Sequence, residues 1–192
     1  MARTQQQRRE ETVTRLLDAG IETIIDVGYA KASAAVIARR AGVSDGALFR
    51  HFPTMGDFMA ATASEVMRRQ LQRFADRVAE LSEAQSLPAV LAVVRDITTS
   101  DTNAVLYELL VAARTDEKLR RAMRRQLDGY TTAIYETART ATGLQHLRDD
   151  EFRAAVTIVT NTFDGAALVR PVLRQPELEE GKIELLAALL KR

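Results

Sequence analysis

Residues 37–52, IARRAGVSDGALFRHF, join one helical stretch to a second through a break at Ala41-Gly42-Val43-Ser44. The second stretch is too short to be stable by itself, because helices of a few turns persist only when one face is packed on something else. Leu48 and Phe52, one turn apart, supply that inward face, and Pro53 ends the segment. Gly46 and Arg50 then lie on the opposite side, free for something outside the protein. A short helix kept for its outer surface is the strongest constraint this chain offers.

The rest of the sequence reads as helices without strands. From Glu11 to Val27 the positions Val13, Leu16, Leu17, Gly20, Ile21, Ile24 and Ile25 recur at three- and four-residue steps, and Gly28 stops the helix. Ser33 can cap the next helix, through Ile37 to Ala41, and Ser44 the one after it. An amphipathic connecting helix over about 57–81 carries Met67, Leu71, Phe74, Val78 and Leu81. A polar linker over 82–88 is followed by helices over about 88–98, 103–114 and 117–142, the last stopped by Gly143. Asp149, Asp150 and Glu151 put negative charge at the start of a helix reaching about Val169, where such charge suits the helix dipole. A final helix is expected over 182–190. The fold class is therefore all-α, divided into an N-terminal three-helix part over 1–53 with a flexible basic arm, and a larger helical part over 54–192.

Composition removes several functions. There is no cysteine, so disulfides, thiolate metal sites and cysteine nucleophiles are excluded. The two histidines, His51 and His146, have no evident nucleophile or metal-spaced partner, which argues against an enzyme and against a metal or other cofactor. No apolar run approaches the roughly 18 residues a membrane helix needs, and the polar N-terminus lacks a secretory core, so a cytoplasmic protein is expected. The net charge of +1 argues against indiscriminate coating of nucleic acid. Eight arginines and lysines precede residue 53 against six acids, an excess that a solvated helical face would also show.

Three helices ending in a tight turn and an exposed third helix form helix-turn-helix geometry, whose last helix enters the DNA major groove by its N-terminal end. Ala38, Ala41 and Gly42 are small enough for the two helices to approach closely. An ordinary three-helix core, or a helical protein-protein interaction module without specific DNA binding, would share this geometry.

The stretch GYAKASAAVIARRAGVSDGALFRHF resembles the signature of the tetracycline-repressor family through Gly28, Tyr29, Ser33, Ile37, Ala38, Ala41 to Ser44, Gly46, Leu48, His51 and Phe52. The resemblance implies a dimeric, ligand-responsive transcriptional regulator, a repressor by habit, that binds a palindromic double-stranded operator. It implies a variable C-terminal domain that binds a small-molecule effector and dimerises. Phe49 stands where the family has a tyrosine that touches phosphate, so ring packing against the DNA backbone is what remains. Met55 replaces a phosphate-neutralising lysine and Ala32 a threonine; Arg3, Arg8 and Arg9 of the arm and Arg50 are the candidate replacements.

Each candidate DNA contact has a structural counterpart. Ser33 and Ser44 cap helices and lend amides to phosphates. Asp45 either accepts from a cytosine amine or simply suits the helix dipole. Gly46 lets the helix approach the groove floor, and Ala47 can touch a thymine methyl. Arg50 reads guanine or, toward the far end of its helix, binds phosphate; His51 binds a phosphate oxygen or packs within the fold. For the effector, Tyr107, Arg114, Thr157, Thr160, Asn161 and Asp164 place polar groups on otherwise apolar helices, where they line a pocket, face solvent or cross a dimer seam. Gly165, Ala166 and Ala167 suggest close packing with the last helix and its symmetry mate.

Overall fold

The structure, a computed structural model, describes residues 4–81, 86–141 and 144–191. Among them the chain is helical without strands: α1 (Gln5–Val27), a 3-10 turn (Tyr29–Lys31), α2 (Ala34–Arg40), α3 (Asp45–His51), α4 (Met55–Ala79), α5 (Leu87–Thr98), α6 (Asp101–Ala113), α7 (Glu117–Ala141), α8 (Asp149–Val169) and α9 (Pro176–Leu190). Gly143 and most of the polar linker, residues 82–85, lie outside the described residues.

Local chemistry explains most boundaries. The α1 helix begins six residues before the expected Glu11 because Thr4 and Gln7 cap it reciprocally: the Gln7 amide donates to Thr4 Oγ1 at 3.2 Å and the Thr4 amide to Gln7 Oε1 at 2.9 Å. It ends where Gly28 takes φ 81, a left-handed conformation that L side chains avoid. Thr54 and Asp57 form a similar pair at the start of α4, with the Asp57 amide donating to Thr54 Oγ1 at 3.1 Å. Pro176 opens α9 well before the expected residue 182, since proline loses nothing in a first turn whose amides have no helical partner.

The chain packs as two compact units. The first comprises Met1–Met67 and Val105–Leu127. Its α1 packs on α2 and α2 on α3, with Leu16, Ile24, Ile37, Leu48 and Phe58 withdrawn from water. Burying each of these side chains contributes about 1.5–3 kcal/mol, which is what holds the seven residues of α3 in place. Phe52 is only half-buried and meets the edge of Phe58 at 5.1 Å between ring centroids. Gly20 sits so close to Phe58 that a Cβ there would lie 2.7 Å from Cζ of a fully buried ring. Gly20→Val is accordingly expected to destabilise the protein by about 2 kcal/mol, the overpacking loss exceeding any gain in helix propensity. Chemical denaturation measures this, and an unchanged midpoint would show that the ring moves aside.

The second unit comprises Arg68–Ala104 and Asp128–Arg192. Its core joins Leu87 and Leu91 of α5 to Phe152, Val156, Val159 and Phe163 of α8 and to Ile183 and Ala187 of α9. Ile158, Gly165 and Leu168, on another side of α8, are exposed.

Candidate nucleic-acid interface

The α2–α3 turn is built by Gly42, whose φ of 65 reverses the chain after Ala41. Val43 then donates its amide back to the carbonyl of Ala38 at 3.0 Å. Ser33 caps α2 as expected, its hydroxyl accepting from the Val36 amide at 3.4 Å. Ser44 does not cap α3 through its side chain; its carbonyl accepts from the Ala47 amide at 2.8 Å instead, leaving the exposed hydroxyl available.

The outward face of α3 differs from the sequence expectation at one residue. Gly46 and Arg50 are exposed, and so is Phe49 at 47%. Ala47 is 3% exposed and lies with Leu48 in the core, so it cannot reach a thymine methyl. On a helix of two turns, periodicity alone does not decide which of two neighbouring apolar residues faces in. The side chain of Asp45 lies outside the described residues.

Arg8 and Arg9 stand on the first turns of α1, so they form part of a capped helix where the sequence suggested a flexible arm; Arg3 lies outside the described residues. The helical placement gives Arg9 a defined position. Burial holds the His51 imidazole below its ordinary pKa, and the charges of Arg9 and Arg50 depress it further. The charges of Arg9 on α1 and Arg50 on α3 thus both reach His51, whose own Nδ1 atom is buried and has no hydrogen-bond partner among the described residues. Two arginines so placed favour a phosphate set against them. Arg40 is different: its guanidinium is held by Asp26 and lies 3.7 Å from Glu22, both on α1.

A tertiary contact that no local pattern announces fixes the α1–α2 corner. The Tyr29 amide donates to Glu108 Oε2 on α6 at 2.5 Å, across 79 positions of sequence. Burial, then the nearby charge of Asp116, raises the Tyr29 phenol above its ordinary pKa. Glu108→Ala leaves a half-buried amide unpaired and is expected to cost about 1–2 kcal/mol in chemical denaturation, with Glu108→Gln losing less. A change below about 0.3 kcal/mol for the alanine variant would mean that water replaces the carboxylate at no loss.

The effector candidates are divided between the two units. In the first, Tyr107 is buried and Arg114 is exposed. In the second, Thr157 and Asn161 are exposed, while Thr160 and Asp164 are half-buried. The Thr157 and Thr160 hydroxyls bond to backbone carbonyls one turn back, at 2.8 and 3.1 Å, and Thr157 also meets the Tyr135 hydroxyl at 3.0 Å. A buried polar chain absent from the sequence reading lies in the same unit. Tyr130 donates to Gln70 Oε1 at 2.5 Å, Gln70 donates to Asn103, and Asn103 donates to the Thr98 carbonyl at 2.9 Å. Burial, then the Asp164 charge, raises the Tyr130 phenol far above its ordinary range.

Known proteins place this arrangement. The sequence profile of bacterial regulatory proteins of the tetR family matches residues 16–62. A Mycobacterium tuberculosis protein named as an HTH-type transcriptional regulator is 62% identical over 191 residues, covering 99% of this chain and 98% of that one. Two solved structures share the fold. A TetR-family regulator from Rhodococcus superposes with a TM-score of 0.74 at 17% identity, covering 95% of this chain and 97% of its own. The FadR regulator of Bacillus subtilis, in complex with stearoyl-CoA, does so at 0.64 and 20% identity, covering 92% and 96%. An outward-facing α3 behind a glycine turn, in a chain so similar over its whole length to a named regulator, makes this protein a member of the tetR family of bacterial regulatory proteins, a helix-turn-helix transcriptional regulator.

Proposed function

We propose that the protein acts as a homodimer on a palindromic operator and represses transcription until a small-molecule effector releases it. In this reading residues 1–53 carry the DNA contacts and residues 54–192 carry regulation and dimerisation, in the cytoplasm. The observation that carries the DNA part is the outward side of α3, where Gly46, Phe49 and Arg50 are exposed behind the Gly42 turn. Arg8, Arg9, Arg50, His51 and the amides at the starts of α2 and α3, near Ser33 and Ser44, serve phosphates; Gly46 and Phe49 approach the groove. Arg3 and Asp45 stay candidates on sequence alone.

Dimerisation is supported by the unpartnered face of α8 and α9. Ile158, Asn161, Gly165 and Leu168 follow three- and four-residue steps on α8, with Val172 just beyond it at 92% exposure. Leu178, Gly181, Leu185 and Leu189 do the same on α9. A Cβ at Gly165 or Gly181 would meet nothing within 4 Å of its own chain, so small residues there suit an approach from outside. A stripe of this period is the seam along which helices of two subunits pack. Asn161 belongs to that stripe, which favours a seam role over the pocket for it.

The effector reading is supported by the polar groups of the second unit, Thr160, Asp164 and the Tyr130-Gln70-Asn103 chain, within an otherwise apolar helical body. Tyr107, Arg114 and Thr157 are the remaining candidates. That FadR was crystallised with stearoyl-CoA supports a small organic molecule as effector. An effector need only bind the DNA-free conformation better, and DNA then weakens effector binding by the same factor.

The test is selection of binding duplexes from a randomised pool by the purified full-length protein. Recovery of an inverted repeat with half-sites about one DNA turn apart, roughly 34–36 Å, is the expected outcome. Failure to enrich any sequence would leave the interaction-module alternative.

A further inference from the structure

We propose that Phe49 is a specificity residue that reads a thymine C5-methyl group in the major groove; this rests on the reading of α3 as the DNA-contacting helix. The large ring is 47% exposed on a helix whose other apolar residues, Ala47 and Leu48, are 3% and 0% exposed. The ring stands on the outward side of α3 with Gly46 and Arg50, both exposed, so it is presented to whatever that side meets. Gly46, one turn earlier on the same side, presents no side chain, and a Cβ there would meet nothing within 4 Å. The backbone of α3 can therefore come close to the base edges at Gly46, which brings the longer side chain three residues later into the groove.

The chemistry selects the target. A phenyl ring has no donor for a phosphate oxygen, so it adds nothing to the electrostatic contacts that Arg9 and Arg50 supply. In the major groove the one apolar feature that distinguishes a base pair is the thymine methyl, which pairs by contact with alanine, threonine methyl or phenylalanine. Ala47, the other small apolar residue of the helix, is buried and cannot make that contact. Phe49 thus takes a base-reading part and Arg50 beside it a positioning part.

The experiment uses the duplex selected by the full-length protein, with each thymine replaced in turn by deoxyuridine, which removes the methyl and leaves every hydrogen-bonding group. Wild-type protein is expected to lose about fourfold in affinity at one position per half-site, the loss that goes with one methyl group left uncovered. Phe49→Ala is expected to bind the unmodified duplex more weakly and to be indifferent to deoxyuridine at that position. Two results overturn the proposal: wild-type affinity unchanged by deoxyuridine at every position, or a wild-type to Phe49→Ala affinity ratio that is the same on the thymine and deoxyuridine duplexes, which would place the ring on the sugar-phosphate backbone. The deoxyuridine series in the wild type needs no variant to fold. If no duplex is selected at all, it is the DNA-reading role of α3 that fails.

Discussion

Ile158→Asp combined with Leu185→Glu is expected to yield a folded monomer that binds its operator at least about a hundredfold more weakly than the wild type. Both residues are exposed in the single chain, at 57% and 62%, so their replacement leaves the core joining α5, α8 and α9 untouched. In a two-fold dimer each introduced carboxylate occurs twice, and burying it against apolar side chains forfeits its hydration. Operator binding then suffers because a monomer engages one half-site, and the second half-site of a dimer binds at the high effective concentration its tether provides. Sedimentation equilibrium gives the mass, circular dichroism the fold, and anisotropy titration the affinity. A variant that remains a dimer would show that subunits meet elsewhere.

Arg50→Ala should act through salt dependence. Each phosphate contact contributes a slope of about 0.9 to the fall of log affinity with log salt, so removing one contact per subunit flattens the dimer's slope by about two. Adding Arg9→Ala flattens it further, since Arg9 acts on the same field that lowers the His51 pKa. The affinity loss for Arg50→Ala is expected to be tenfold or more at low salt and to shrink as salt rises, because screening weakens what the arginine supplied. Arg40→Ala is the contrast: its guanidinium is committed to Asp26 and Glu22, so it should lower stability slightly and leave the slope unchanged. A slope unaltered by Arg50→Ala would remove that residue from the phosphate contacts.

Helix existence, turn chemistry and the position of α3 were readable in the chain because their causes are local. Gly28 and Gly42 take the positive φ values that their places after helix ends suggested, and Ser33 caps α2. The extra turns at the start of α1 were equally local, written in Thr4-x-x-Gln7, and Thr54-x-x-Asp57 marks α4 in the same way. In α9 the start at Pro176 lies ahead of Ile183, Leu186, Leu189 and Leu190, so those apolar positions located only its later part.

An all-helical chain with a short helix behind a glycine turn follows from local chemistry, since a helix and its ends depend on residues within one or two turns. Tertiary packing was needed to turn Ala47 inward and leave Phe49 facing water. It alone tied Tyr29 to Glu108 and formed the Tyr130-Gln70-Asn103 chain. Those outcomes depend on which distant helix covers which face, and a repeat of 3.6 residues says that a face exists without saying what lies against it.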